Sequence, residues 1–258
     1  MSVTRRALLI SNPGETGAEN YCKGVFVDVA NYRRLLTAAH GGAWRQDEIL
    51  PMFRPSKVEV REAVKSLQAY DYSFFVFAGH GWYSSVNMCN VLTLRQGEDI
   101  ASYELLANAT RRTSVLDCCR KVYHESITES EKKAMAMTRT AAAMVRYADP
   151  QKCRNLFSAL VARTPCDVIE INSCSIGEKA GDDEVQGGRY SSSLIAVADT
   201  WAEEESKKPS WTSDSWMSVV IAHDPATEMT KRRSGGRQNP RITKPRSGDY
   251  FPFTVFAS

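Results

Sequence analysis

The chain has no apolar run approaching the roughly 20 residues that cross a bilayer. Behind Arg5-Arg6 there is only the short stretch Ala7–Ile10, too brief for the core of a secretion signal. A cytoplasmic location with no membrane partner is therefore expected. Cysteine is sparse: there are seven, an odd number, and none shows paired metal-ligand spacing. In a chain without an export signal this argues for reduced thiols, so neither a disulfide framework nor a zinc site is expected, and no cofactor is implied. Excess charge is also small. A net charge of +3 does not imply nucleic acid by itself. With 258 residues, 43% hydrophobic and 24% charged, the sequence reads as one α/β domain with a sizeable core.

What is present gathers around Thr113–Val122, T-S-V-L-D-C-C-R-K-V. A β-branched and apolar run (Thr113, Val115, Leu116) ends in an acid and two thiols, the pattern of a buried strand that stops where chemistry begins. Earlier, Tyr72–Ala78 is a second such strand, and Gly79-His80-Gly81 lets the chain turn sharply and carry an imidazole. Alone, a His after an apolar run is usually structural, and a Cys pair usually packs a core. Together, in this order, they suggest a nucleophile and its base. Residues i and i+2 of a strand share a face, so Asp117 and Cys119 point into one cleft and Cys118 away from it. This geometry, taken together with the D-C-C motif, makes Cys119 the nucleophile, His80 its base, and Cys118 packing. The N–H groups of Gly81 and Cys119 are the natural oxyanion donors.

G-H-G after one strand and D-C-C after the next resemble the catalytic His and Cys motifs of caspase-like cysteine peptidases. The D-x-C form is closer to metacaspases and their bacterial relatives than to animal caspases. The resemblance implies a caspase-like three-layer α/β sandwich with a mostly parallel central sheet of about six strands flanked by helices. It implies a single peptidase domain over 1–258: a large-subunit-like part (1–124) with the His/Cys dyad, a linker or activation segment (125–149), and a small-subunit-like part (150–258). Gly24 and Asp28 stand where the family places a glycine and a pocket-lining acid, although Val25 occupies a position that is often cysteine. Asp28 has a second reading, a solvated first-turn carboxylate favoured by the helix dipole.

Asp117 beside the nucleophile, with Asp28, would make an acidic S1 pocket for Arg or Lys and repel the aspartate that animal caspases prefer. Ala78 replaces a frequent serine of that pocket wall. Many metacaspases need calcium held by aspartates, but no Asp-Asp pair lies between His80 and Cys119, so that requirement is not carried over. The segment after the nucleophile strand is where relatives are processed. Here it offers Lys132, Lys133, Arg139 and Arg146, candidate sites for self-cleavage or for an upstream activating protease that, beside the protein substrate, would be the main partner.

Elsewhere the pattern gives strands at Ala7–Ser11 and Ile49–Phe53, a short one at Val91–Leu94, and one at Cys166–Ser173. Helices are expected after Gly24, from a Ser56–Glu59 capping box, from Ser102 to Ala107, from Pro150, over Ser191–Glu205, and over Thr212–His223. A long polar loop precedes Gly188-Arg189-Tyr190, which fit the family's entry into the fifth of those helices. His40, His124 and His223 read as surface or packing residues. A tail with Lys231, Arg232, Arg233, Arg237, Arg241, Lys244 and Arg246 precedes a final strand at Tyr250–Phe256 that resembles a last core strand of the family. Two other classes remain open: a catalytically silent scaffold of the same fold, and a module binding nucleic acid through the basic tail.

Overall fold

A computed structural model describes residues 3–106, 109–122, 146–209, 211–246 and 248–258. In chain order it gives β1 (Arg5–Asn12), α1 (Gly24–Thr37), β2 (Ile49–Phe53), α2 (Lys57–Ser66) and β3 (Tyr72–Gly79). An antiparallel group follows, β4 (Gly81–Ser84), β5 (Cys89–Arg95) and β6 (Glu98–Ala101), then α3 (Ser102–Leu106) and β7 (Arg111–Asp117). The second half holds α4 (Pro150–Arg163), β8 (Asp167–Asn172), α5 (Arg189–Ser206), β9 (Ser215–Ser218), α6 (Val219–Arg233), β10 (Arg241–Thr243) and β11 (Pro252–Phe256).

The central sheet runs β10-β8-β7-β3-β1-β2, all parallel except β10 at one edge. This is the expected α/β architecture with a six-stranded, mostly parallel sheet flanked by helices. The period of two along each strand divides the core. Ala7 and Leu9, Phe74 and Val76, and Val115 face α1, α4, α5 and α6, while Leu8 and Ile10, Phe75 and Phe77, and Leu116 face α2, α3 and the β4–β6 sheet. Phe157 of α4 sits against Trp44 (ring centroids 5.9 Å) and Tyr72 (6.1 Å), tying the second half of the chain to the first. Helix starts follow side-chain chemistry: Ser56 and Glu59 form the capping box of α2, and Asp149 caps α4 with Pro150 in its first turn.

One expectation is corrected, the helix at Thr212–His223, and others gain detail. The expected short strand at Val91–Leu94 is present within Cys89–Arg95, as the middle of a three-stranded antiparallel sheet. No helix begins at Thr212. Ser215–Ser218 is instead a strand, and Ser218 caps a helix that starts at Val219 and runs to Arg233 through Pro225. Pro225 is tolerated because the carbonyl it leaves without a donor belongs to Ile221, on the exposed face. The expected final strand is present and joins β9 in a two-stranded antiparallel sheet. Basic residues of the tail are tied into the fold. Lys231, Arg232 and Arg233 close α6, Arg241 donates to Ser175 Oγ (2.8 Å), and Lys244 donates to Tyr250 Oη (2.9 Å).

No helix among the described residues is long and apolar enough to cross a membrane.

Candidate active site

Neighbouring parallel strands bring the two motifs together. β3 and β7 pair in register up to Ala78 opposite Asp117, so His80 and Cys119 each lie two residues beyond the last pair, at the carboxyl edge of the sheet where open α/β folds place their ligands. Gly79 turns the chain there with φ of 150°, and a Cβ on it would stand 2.3 Å from the Asn12 carbonyl oxygen. His80 Nε2 lies 3.2 Å from the Pro13 carbonyl oxygen. A carbonyl only accepts, so Nε2 carries the proton and Nδ1 is left as the basic nitrogen. Gly14 is held at φ of 89°, and a side chain there would approach Nε2 to 2.6 Å. Asn12 braces this loop, donating to the Thr93 carbonyl (2.8 Å) and accepting from Gly14 N–H (3.1 Å).

Cys119 does not hydrogen-bond to His80. Its Sγ faces the Ala180 carbonyl at 3.8 Å, and burial pushes the thiol above its ordinary pKa. Cys118 is buried in the core and packs under Gly81, whose Cβ position would be 2.8 Å from Cys118 Sγ. Gly81, one of the two expected oxyanion donors, thus packs on the side chain of the residue that precedes the other, Cys119.

The two acids expected to form S1 come together, and neither is solvated. Asp28 is 2% and Asp117 5% exposed, which disposes of the solvated first-turn reading of Asp28. Both Asp28 oxygens accept from Gly188 N–H (2.8 and 3.0 Å). Asp117 Oδ2 accepts from Ser191 N–H (3.1 Å) and Oγ (2.6 Å). Gly187 and Gly188 lie so close that added Cβ atoms would stand 2.3 Å from Asp28 Oδ1 and 2.4 Å from Asp117 Oδ2. Burial and the neighbouring Asp117 hold Asp28 well above the usual carboxylate range. Asp117 is raised by burial, partly offset by Ser191 and Ser173 hydroxyls.

Several participants escape sequence reasoning. Asp182, from the polar loop, accepts from Gly24 N–H (3.1 Å) at the start of α1 and is raised by burial, with Asp117 and Asp183 adding to the effect. Pro13 orients His80, and Ser191 holds Asp117. The loop that brings Asp182 is fastened at many points. Arg120 N–H donates to the Glu178 carbonyl (3.0 Å), Gly177 N–H to the Arg120 carbonyl (2.8 Å), and Gly181 N–H to Gln238 Oε1 (2.9 Å). Arg233, at the end of α6, donates to the Arg189 carbonyl, Ser192, Ser193 and Gln186 Oε1. The sequence signal for this cover was the long polar loop ahead of Gly188-Arg189-Tyr190. The closed loop thus lies over both the thiol and the acids.

Of the other histidines, His223 is buried and bonded to Tyr190 Oη (2.7 Å), and His40 meets Asp199 (3.0 Å). His124 and the candidate processing residues Lys132, Lys133 and Arg139 lie outside the described residues. Arg146 is described: its guanidinium bonds Ser258 Oγ and the Thr212 carbonyl and sits 5.0 Å above the Phe256 ring.

A family model described as a caspase domain matches residues 4–247. No curated protein matches the chain.

Proposed function

The chain belongs to the caspase-domain family of cysteine peptidases, and from that premise we propose that it cleaves proteins after Arg or Lys through Cys119 and His80. The observation that carries this reading is the strand register, which sets His80 and Cys119 at equivalent ends of adjacent strands beside two buried carboxylates.

The chemistry follows from these groups. His80 Nδ1 takes the Cys119 proton, the thiolate sulfur bonds to the scissile carbonyl carbon, and the carbonyl electron pair moves onto oxygen, where the Gly81 and Cys119 N–H groups receive it. Collapse breaks the C–N bond, and the imidazolium protonates the departing amine. Water, deprotonated by His80, then hydrolyses the thioester and returns the thiol. A substrate guanidinium or ammonium entering between Asp28 and Asp117 would supply the counter-charge their buried carboxylates lack, and Asp182 adds a third acid near the mouth.

The closed cover supports latency. Ala180 must leave Cys119, and Gly188 must leave Asp28, before a substrate can enter. Cleavage within 125–149, between the large-subunit-like and small-subunit-like parts, is the proposed trigger, and a reducing cytoplasm suits a thiol nucleophile. The test is a panel of fluorogenic peptides ending in Arg, Lys, Asp or Ala, assayed before and after limited proteolysis. Turnover of Arg and Lys peptides that is abolished in Cys119→Ala but largely retained in Cys118→Ala is expected. Full activity in Cys119→Ala would remove the assignment, and no activity under any condition would favour a silent scaffold.

A further inference from the structure

At the opposite end of the sheet from Cys119 lies a cavity of about 550 Å³. It is walled by the start of β1, the chain entering β2, Tyr70 before β3, and one face of α4 from Gln151 to Ala159. Four arginines line it, Arg5, Arg6, Arg45 and Arg154, against two acids, Asp47 and Glu48.

The positive charge there is poorly answered. Arg154 takes both oxygens of Glu48, with Nη1 at 2.9 Å from Oε2, and the same Oε2 also accepts from Arg45 N–H (2.7 Å). Arg5 must share that carboxylate at 3.6 Å. Arg5 is 1% exposed and stacked 4.6 Å from the Trp44 ring and 5.0 Å from that of Phe157. Its Nη2 donates to the Gly42 (2.6 Å) and Ala43 (3.3 Å) carbonyls, while among the described residues its Nε and Nη1 have no hydrogen-bond partner. Arg6 Nη1 donates to the Asp47 carbonyl, not the carboxylate. Burial and the neighbouring Arg154 bring the Arg5 guanidinium down to about 10. A structural ion-pair cluster would balance its charges, whereas this one leaves guanidinium in excess around an open volume.

We propose that this cavity is a binding site for a small molecule bearing two or more phosphate charges. Guanidinium forks match phosphate oxygens bidentately, and the surplus of two positive charges calls for at least a dianion. The volume lies within the range of small-molecule sites, roughly 300–1,000 Å³, larger than one phosphate needs. Tyr70, with Arg6 5.8 Å from its ring, gives the wall an aromatic face for the rest of the ligand. The concave shape favours a small anion over a nucleic-acid backbone. The site is independent of the cleft and of the peptidase reading.

The test uses the whole protein with inorganic tripolyphosphate as the probe, by calorimetry and by thermal unfolding at ionic strength matched with sodium chloride. Saturable binding and a Tm that climbs with the logarithm of probe concentration are expected. Arg6→Gln/Arg45→Gln removes two rim charges without touching the buried Arg5. Asn155→Asp changes one exposed lining residue isosterically, keeps the acceptor for Gln151 Nε2 (2.9 Å), and sets a negative charge at the cavity. Each should weaken binding roughly tenfold or more, the scale of losing charge-assisted contacts. Citrate, with carboxylates in place of phosphates, should bind at least as much more weakly. No binding by the wild type, equal binding by both variants, or equal affinity for citrate would overturn the proposal.

Discussion

Asp28 and Asp117 set function against stability. Burial raises both carboxyls in the folded protein, so the stability they allow is complete below the ordinary carboxylate range. It is lost as pH rises from there through the raised values, where the folded state must either hold a proton or bury a charge. Asp28→Asn removes that loss and keeps an acceptor for Gly188 N–H. Its Tm relative to wild type should therefore improve as pH increases from 5 to 7.5, while its preference for Arg substrates falls. A Tm difference independent of pH would show that Asp28 is not strained by burial. Asp117→Ala should narrow the preference for Arg over neutral peptides by on the order of 2–3 kcal/mol, read as a ratio of kcat/KM, with KM rising for Arg peptides. Unchanged selectivity would place the S1 acid elsewhere. Cys119 and Asp117 were legible because the strand's own alternation sets them on one face. The donor to Asp28 was not, since Gly188 is 160 residues away and its contact depends on how a polar loop folds back.

The cover and the helix α4 carry the predictions at the scale of elements. Gly187 has φ of 86° and no room for a Cβ against Asp28, so Gly187→Ala should strain the closed loop by roughly 1–3 kcal/mol and open it. Alkylation of Cys119 by iodoacetamide, followed by peptide mass spectrometry, should accelerate about tenfold. An unaltered rate would mean that the loop does not control access to the thiol. Phe157, wedged against Trp44 and Tyr72, should cost roughly 3–5 kcal/mol when changed to Ala, measured by denaturant unfolding. A loss below about 1 kcal/mol would show that the cluster is not a principal tie between the halves. The central strands were readable as buried runs bounded by turns. β9 was not, because Trp216 and Val219 also fit a helical period, and only the pairing of Trp216 with Val255 and the cap at Ser218 decide against it. Hairpin partners of β5 were missed for a related reason: Gly81–Ser84 and Glu98–Ala101, four residues each, are too short to announce themselves.

For the whole molecule, the segment 125–149 separates parts that share one sheet. β7 and β8 pair along Arg111–Leu116, and Asp149 N–H reaches the Ala257 carbonyl (2.8 Å), so a chain cut in this segment should remain one particle. Gel filtration of the cleaved protein should give a single peak near the uncut elution volume, resolving into two fragments only in denaturant. Separation in native buffer would refute that association. Arg146 is tied to Ser258, Thr212 and Phe256, so Lys132→Ala/Lys133→Ala/Arg139→Ala is a cleaner test of processing than a variant that also removes Arg146. If this triple variant is processed and activated like wild type, these three residues are not the trigger. The most direct measurement of the proposed activity is covalent: after limited cleavage of the 125–149 segment, a peptide chloromethyl ketone ending in arginine is added and the modified residue is mapped by mass spectrometry. One equivalent on Cys119, none on Cys118, a rate lost in His80→Ala and a much slower reaction for the aspartate-ended reagent are expected. Labelling spread over the cysteines, or equal rates for the two reagents, would contradict a Cys119–His80 peptidase that selects basic residues.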